Sequence, residues 1–289
     1  MVAATTTTET GARPVRAGRR LRLPNWLGTA PFLAYVGIFL LLPTGIIVVN
    51  AFRSPSGALN LSSLKLLFES AERSYFTGSL ELCLISSVLG AVLGAILAYA
   101  IASGNPDGTV RRLYIAVSGV LAQFGGVTLA FAFVVLIGPV GLLIHASWFY
   151  SFPWGIAVIY TYFQVPLMVL VFLPAIDGVK VQWREASDSL GASTWQYWRY
   201  VGGPLLAPAF FGAALLLFAN ALSAFATIVA WENQIAYTVP QQIYVAINSE
   251  VGLSNVNQAD VLALGMIILV AIIMTGYALL QRRAARWLR

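Results

Sequence analysis

The chain is nearly empty of the side chains that chemistry uses. Histidine occurs once, at His145, and cysteine once, at Cys83. One histidine excludes H-E-x-x-H and every other paired-histidine zinc motif, and any Ser-His-Asp arrangement would have to be built on this single loop residue. One cysteine, inside an apolar run, leaves neither a disulfide framework nor a thiolate metal site. Lysine occurs only at Lys65, after Leu, and at Lys180, after Val, so no G-x-x-x-x-G-K-[ST] phosphate loop is present. If ATP is used, another chain binds it. Charge is equally scarce: 10% of residues are Asp, Glu, Lys or Arg, 59% are hydrophobic and the mean hydropathy is +0.80. Soluble domains carry about a quarter charged residues, so these values define an integral membrane protein.

What the chain does have is long apolar runs. Crossing ~30 Å of hydrocarbon as a helix takes about 20 residues, and six such runs lie near 30–52, 79–103, 113–137, 153–176, 204–230 and 259–281. The 17 Lys and Arg residues orient them, because positively charged loops stay in the cytoplasm. Arg13, Arg16, Arg19, Arg20 and Arg22 precede the first run; Arg111 and Arg112 follow the second; Lys180, Arg184 and Arg199 follow the fourth; Arg282, Arg283, Arg286 and Arg289 close the chain. The other face keeps only Arg53, Lys65 and Arg73. The expectation is therefore an all-α protein of six transmembrane helices with both ends in the cytoplasm. Residues 1–29, with the run "TTTTET", are expected to be a disordered basic arm, 30–281 the transmembrane domain, and 282–289 a basic cytoplasmic tail. The arm is not read as a signal peptide, since the apolar run after it is too long for an h-region and no small-residue cleavage site follows.

One stretch breaks the pattern. "WREASDSLGASTWQYWRYVGGPLLAP", from Trp183 to Pro208, crowds charged residues and three Trp into a loop at 177–203, on the cytoplasmic side between the fourth and fifth spans. Arg184 to Leu190 suit a short helix, and Gly191 is a natural stop where a positive φ costs least. Ser193 and Gln196 have the spacing of a capping box, which starts a second short helix. Trp195 and Trp198 fall at i, i+3 on one face of it. On this grammar alone the loop is a pair of short helices displaying aromatic and charged groups, either lying in the headgroups on Trp anchors or offering a docking surface to a soluble partner.

"EASDSLGASTWQYWRYVGGP" resembles the EAA loop of permease subunits of binding-protein-dependent ABC importers. In that pattern E-A-A is followed by three residues, Gly, nine residues and I-x-L-P. Here Glu185, Ala186 and Ser187 fill E-A-A, Gly191 takes the glycine, and Val201, Gly202, Gly203 and Pro204 close the motif, with Ser187 for Ala and Gly203 for Leu as departures. The flanking runs "FQVPLMVLVFLPAIDGV" and "PLLAPAFFGAALLLFANALSAFAT" are similar to the spermidine/putrescine, iron, thiamine and phosphonate branch, and the resemblance covers about residues 30–281. It implies a coupling-helix loop in which Glu185, Ala186, Ser187, Gly191, Trp195 and Pro204 dock the ATP-binding subunit. It further implies two such subunits, which bind ATP and Mg, a second permease, identical or homologous, and an extracytoplasmic solute-binding protein. This chain is then a transport subunit with no cofactor of its own.

Inside the membrane, polar positions are the site candidates. Asn220, Ser223 and Thr227 recur as one stripe on the fifth span, lining a solute path or holding neighbouring helices. Gln164, two residues before Pro166, is a further candidate in the fourth span, and packing alone would also explain it. Glu81, Glu232, Glu250 and Asp260 fall on the outer side, which favours a cationic solute such as a polyamine, although the positive-inside bias produces the same distribution. A phosphonate or another organic anion is the alternative, with Arg53, Lys65 and Arg73 on that face. An ion-gradient-driven transporter would need related halves, broken helices and a deep acid, and an intramembrane enzyme a deep Asp pair or His cluster. The sequence offers no repeat and no deep carboxylate.

Overall fold

The computed structural model describes residues 26–53, 61–138, 141–231, 237–248 and 253–287. Residues 1–25 of the expected arm 1–29 and the acids Glu232 and Glu250 lie outside these, and residues 26–29 of that arm are helical. No β-strand is present among the described residues. Helices are the only open-ended element whose backbone groups are all satisfied internally, as hydrocarbon requires. The chain divides into two units, Met1–Ile46 and Ile47–Arg289. The first contains α1 (Trp26–Val36) and a π-turn at Gly37–Leu41, where Tyr35 and Phe39 lie 4.9 Å apart. The boundary falls within α2 (Leu42–Ala51).

The second unit is a helical bundle. Its centre is α3 (Ser70–Ala102) against α6 (Trp154–Asp177). Ser86, Gly90, Gly94 and Ala98 recur every fourth residue of α3 and are all buried. A Cβ on Gly90 would lie 2.6 Å from the Cβ of Gln164, so this ladder of small residues is what lets the two backbones approach. Gly94 meets Met168 in the same way.

Between them in the chain, α4 (Thr109–Gln123) and α5 (Val127–Ile137) occupy the expected third span, but they are bent by 97° at the intervening residues. The straight helix expected at 113–137 is thus corrected to a broken pair. The cause is Gly126, whose φ of 76° and ψ of −148° form a backbone state that only glycine adopts without strain.

The loop helices α7 (Val181–Ser189) and α8 (Thr194–Tyr197) lead through a π-turn at Trp198–Gly202 into α9 (Gly203–Ser223). Thr194–Ser223 is therefore a single helix, and the second loop helix is the first turn of the fifth span instead of a separate element. Pro204 does not stop it: proline lacks an N–H and crowds the preceding turn, and the widened π-turn absorbs the insertion, with the Gly203 N–H donating to Trp198 O. The fifth span instead breaks at Ala224, before α10 (Phe225–Trp231). After it come α11 (Val239–Asn248), a helix within what the sequence reads as plain loop, and α12 (Leu253–Trp287), which carries helix into the expected tail. Among the described residues, five helices are long and apolar enough to cross a membrane, six with the bent pair counted as one.

At the end opposite the 177–203 loop, α12 stitches its neighbours. Asn257 Nδ2 donates to Asn50 O at 3.3 Å and also to Arg53 O, and Gln258 Nε2 donates to Glu72 Oε1 at 2.6 Å. Val261 and Leu264 pack on Ala51 below these bonds.

Candidate functional site

Two places gather the polar groups of the bundle: the loop end and a pair of facing helix breaks. At the loop end, α7 terminates as its sequence dictates. Gly191 has φ 75°, its N–H donates to Asp188 O at 3.0 Å, and the Ala192 N–H reaches Ser187 O at 3.1 Å, the two bonds of a Schellman ending. No atom lies within 4 Å of where a Gly191 Cβ would stand, so the glycine serves the backbone conformation and not a close contact. The capping box is complete: Gln196 N donates to Ser193 Oγ at 3.3 Å, and Ser193 N donates to Gln196 Oε1 at 2.7 Å. Arg184 lies over the Tyr197 ring, 5.9 Å from its centroid, and braces α7 against α8.

The loop presents apolar groups outward. Leu190 is 87% exposed and Trp195 72%. Glu185 and Ala186 are also exposed, Ser187 is buried under α7, and Pro204 is exposed on the first turn of α9. The Glu185 carboxylate makes no hydrogen bond or ion pair among the described residues; only its backbone oxygen is used, by Ser189 Oγ at 2.8 Å. Trp198 does not share the exposure of Trp195. It is half-buried and lies edge-on to Tyr99 at 5.3 Å. Phase is not the cause, because the Trp198 N–H keeps its helical bond to Thr194 O; Tyr99 on α3 covers the Trp198 ring and leaves Trp195 open.

The second place lies where both broken spans meet. The Gly126 N–H, freed by the bend, donates to Thr227 Oγ1 at 3.1 Å, across 101 residues of sequence. The other break is held by Tyr160, whose hydroxyl donates to Ala224 O. The expected stripe on the fifth span is consequently split. Ser223 is exposed and its Oγ donates back to Asn220 O at 2.9 Å, Asn220 is half-buried, and Thr227 is buried on the far side of the break. Gln164 belongs to neither break. It is fully buried between α3 and α6, with Nε2 donating to Ser86 Oγ at 3.2 Å and Oε1 without a partner. Sequence reasoning missed the break itself, although "FGGV" at 124–127 carried its signal. A groove of about 1370 Å³ between α3, α9 and α12 is walled by Leu84, Val88, Phe211 and Phe218, too apolar to hold a polar solute.

Helices long and apolar enough to cross a membrane, two of them broken where they meet, with a folded polar loop at one end, define a polytopic membrane protein. Residues 90–289 match the family described as binding-protein-dependent transport system inner membrane component, and the chain belongs to that family, a family of transport components and not of enzymes. It is 25% identical over 146 residues to the molybdenum transport system permease protein ModB of Escherichia coli (strain K12), an alignment that covers 48% of this chain and 64% of that protein. The chain thus spans just under two thirds of that relative's length. It is 24% identical over 217 residues to the probable starch degradation products transport system permease protein AmyD of Thermoanaerobacterium thermosulfurigenes, 69% of this chain and 73% of the other. Its fold is that of a chain in the crystal structure of bacterial alginate ABC transporter in complex with alginate pentasaccharide-bound periplasmic protein, with a TM-score of 0.68, 18% identity, and coverage of 91% of this chain and 94% of that one.

Proposed function

We propose that this chain is the permease subunit of an ATP-driven solute importer of a bacterial cytoplasmic membrane, both termini cytoplasmic, forming half of the translocation path beside a second permease. The observation that carries the reading is the 177–203 loop: it is folded and capped at both turns, and it exposes Leu190 and Trp195 at its tip. Solvent-facing apolar groups on a rigid frame suit a protein partner better than water. That partner is an ATP-binding subunit, present in two copies and carrying ATP and Mg. Glu185, Ala186, Ser187, Gly191, Trp195 and Pro204 form the docking element, and Asn220 and Ser223 face the solute. The family description supports delivery by an external binding protein.

The solute is a small polar molecule selected mainly by that binding protein, because the groups offered beside the breaks are neutral: Asn220, Ser223, Thr227 and backbone. A polyamine gains no support from the site. Glu81 is exposed on α3 and Asp260 is half-buried on α12, and no contact joins them. The relatives are named for molybdenum and for starch degradation products. An ion-gradient transporter would share the broken helices but would need an acid at them, and Phe124–Gly126 and Ser223–Phe225 contain none.

The test is reconstitution. The purified chain alone should bind and hydrolyse no ATP, whereas the complex with its ATP-binding subunit should do both, with hydrolysis raised by the loaded binding protein. Leu190→Glu and Trp195→Ala should release the ATP-binding subunit during purification. ATP hydrolysis by the contaminant-free chain, or full retention of the partner by both variants, overturns the reading.

A further inference from the structure

Arg111 and Asp177 form the one ion pair among the described residues, with Arg111 Nη2 donating to Asp177 Oδ2. Arg111 is in the first turn of α4 and Asp177 is the last residue of α6. Each has the wrong sign for its own helix. The N-terminus of a helix carries partial positive charge and disfavours Arg, and the C-terminus carries partial negative charge and disfavours Asp. No acid offsets Arg111 in the first turn of α4, and no base offsets Asp177 in the last turn of α6. The side chain of Arg111 is only 13% exposed and that of Asp177 41%. Neither charge serves its own helix, and each is satisfied only while the two helix ends stay together.

The place of the pair gives this a consequence. Three residues, Gly178–Lys180, separate Asp177 from α7, so a displacement of the loop reaches Asp177 first. At its other end α4, a rod of about 22 Å at 1.5 Å per residue, stops at the break where Gly126 is held by Thr227. The loop therefore has two routes to that hydrogen bond. One is covalent, through α8 and the π-turn into α9 and the Ala224 break. The other passes through the ion pair into α4.

We propose that Arg111 and Asp177 are positioning residues that pass movement of the 177–203 loop to the break in the third span; this rests on the reading of that loop as the ATPase-docking element. Both routes then act on the two sides of one contact, Gly126 N to Thr227 Oγ1. Removing the pair leaves only the α9 side driven.

The test uses the reconstituted complex in proteoliposomes and a probe independent of the solute. Ala226, exposed beside the break, is replaced by Cys in a Cys83→Ala background, and its reaction rate with a charged methanethiosulfonate is compared between the nucleotide-free and ATP–vanadate-trapped states. The parent should change at least fivefold between states. Arg111→Gln and Asp177→Asn should reduce the change below twofold while ATP hydrolysis persists. Asp177→Arg and Arg111→Asp, made singly, set like charges against each other; the melting temperature of the complex is read alongside, since a merely structural role ties an equal loss of stability to any loss of the change. The proposal requires both to abolish it and the double exchange to restore it. A full change in the single variants, or no restoration by the exchange, overturns the proposal and leaves the docking reading standing. No change in the parent overturns the proposal as well, and the docking reading stands or falls separately on partner retention by Leu190→Glu and Trp195→Ala.

Discussion

Gly191 and Gly126 have almost the same φ, 75° and 76°, and opposite surroundings. Gly191 stands at the tip of the 177–203 loop with no atom near its missing Cβ, and the hydrogen bonds that close the turn around it join residues within 186–196. Gly126 is half-buried between two helices, and its N–H is satisfied by Thr227 on another helix. A turn closed by its own neighbours would form in this sequence wherever it was placed. A break closed from another helix exists only because the rest of the bundle is already folded around it. The first can move as a rigid piece without harm, whereas the second depends on the helix that closes it.

Substitutions that separate these settings should rank accordingly. Gly126→Val puts a β-branched residue into a state only glycine tolerates and should cost about 3 kcal/mol. The complex should show a depressed melting temperature and no uptake, and an unchanged melting temperature would mean the third span is not broken there. Thr227→Val keeps shape and removes the acceptor, leaving the Gly126 N–H unpaired at about 2 kcal/mol. Thr227→Ser keeps the oxygen and should restore most of that stability, so equal losses from both would show that packing and not the hydrogen bond holds the break. At the loop, Gly191→Val should cost about 1.5 kcal/mol, with membrane insertion intact and affinity for the ATP-binding subunit down roughly tenfold. Gly191→Asn should recover most of it; if Asn is as damaging as Val, the positive φ is not what matters.

Smaller effects distinguish path from packing. Asn220→Leu and Ser223→Leu should lower uptake while hydrolysis stimulated by the binding protein survives in part. Polar contacts between membrane helices average about 0.6 kcal/mol, so the melting temperature should move little. Wild-type uptake in both would remove these residues from the path. Gln164→Leu should be nearly neutral for stability and uptake, since it exchanges a half-satisfied buried amide for an apolar group of similar size. A large loss of uptake without a loss of stability would return Gln164 to the path.

Local grammar carried the reading of the loop a long way. "SDSLGAS" names its own helix stop and "STWQ" its own helix start, because a Schellman ending and a capping box are closed within six residues. The same grammar failed at Trp198, where two residues were expected on one exposed face and packing of α3 covered the second with Tyr99. The number of spans was likewise legible, as hydropathy reports the solvent of a helix directly. It reports nothing about continuity. Hydropathy runs unbroken from Leu113 to Ile137 and from Pro204 to Ala230, yet both runs are broken, and the one run expected to start at a proline begins ten residues earlier. Glycine at 125 and 126 permits a bend without requiring one. Gln164 was legible as unusual, but its neighbours, the small residues at 86, 90, 94 and 98, had first to be placed against it by the fold.

The sequence by itself determined that this chain lives in a membrane, that it crosses about six times, and that a folded polar loop with defined stops lies between the fourth and fifth spans. These depend on side-chain transfer to hydrocarbon and on bonds closed within one or two turns. Only the tertiary structure decided where the spans break, that the loop runs on into the fifth span, that Thr227 belongs to Gly126 and not to Ser223, and that Arg111 meets Asp177. The last two join residues tens of positions apart, and in a uniformly apolar solvent no sequence pattern says which polar group will find which until packing has brought them within reach.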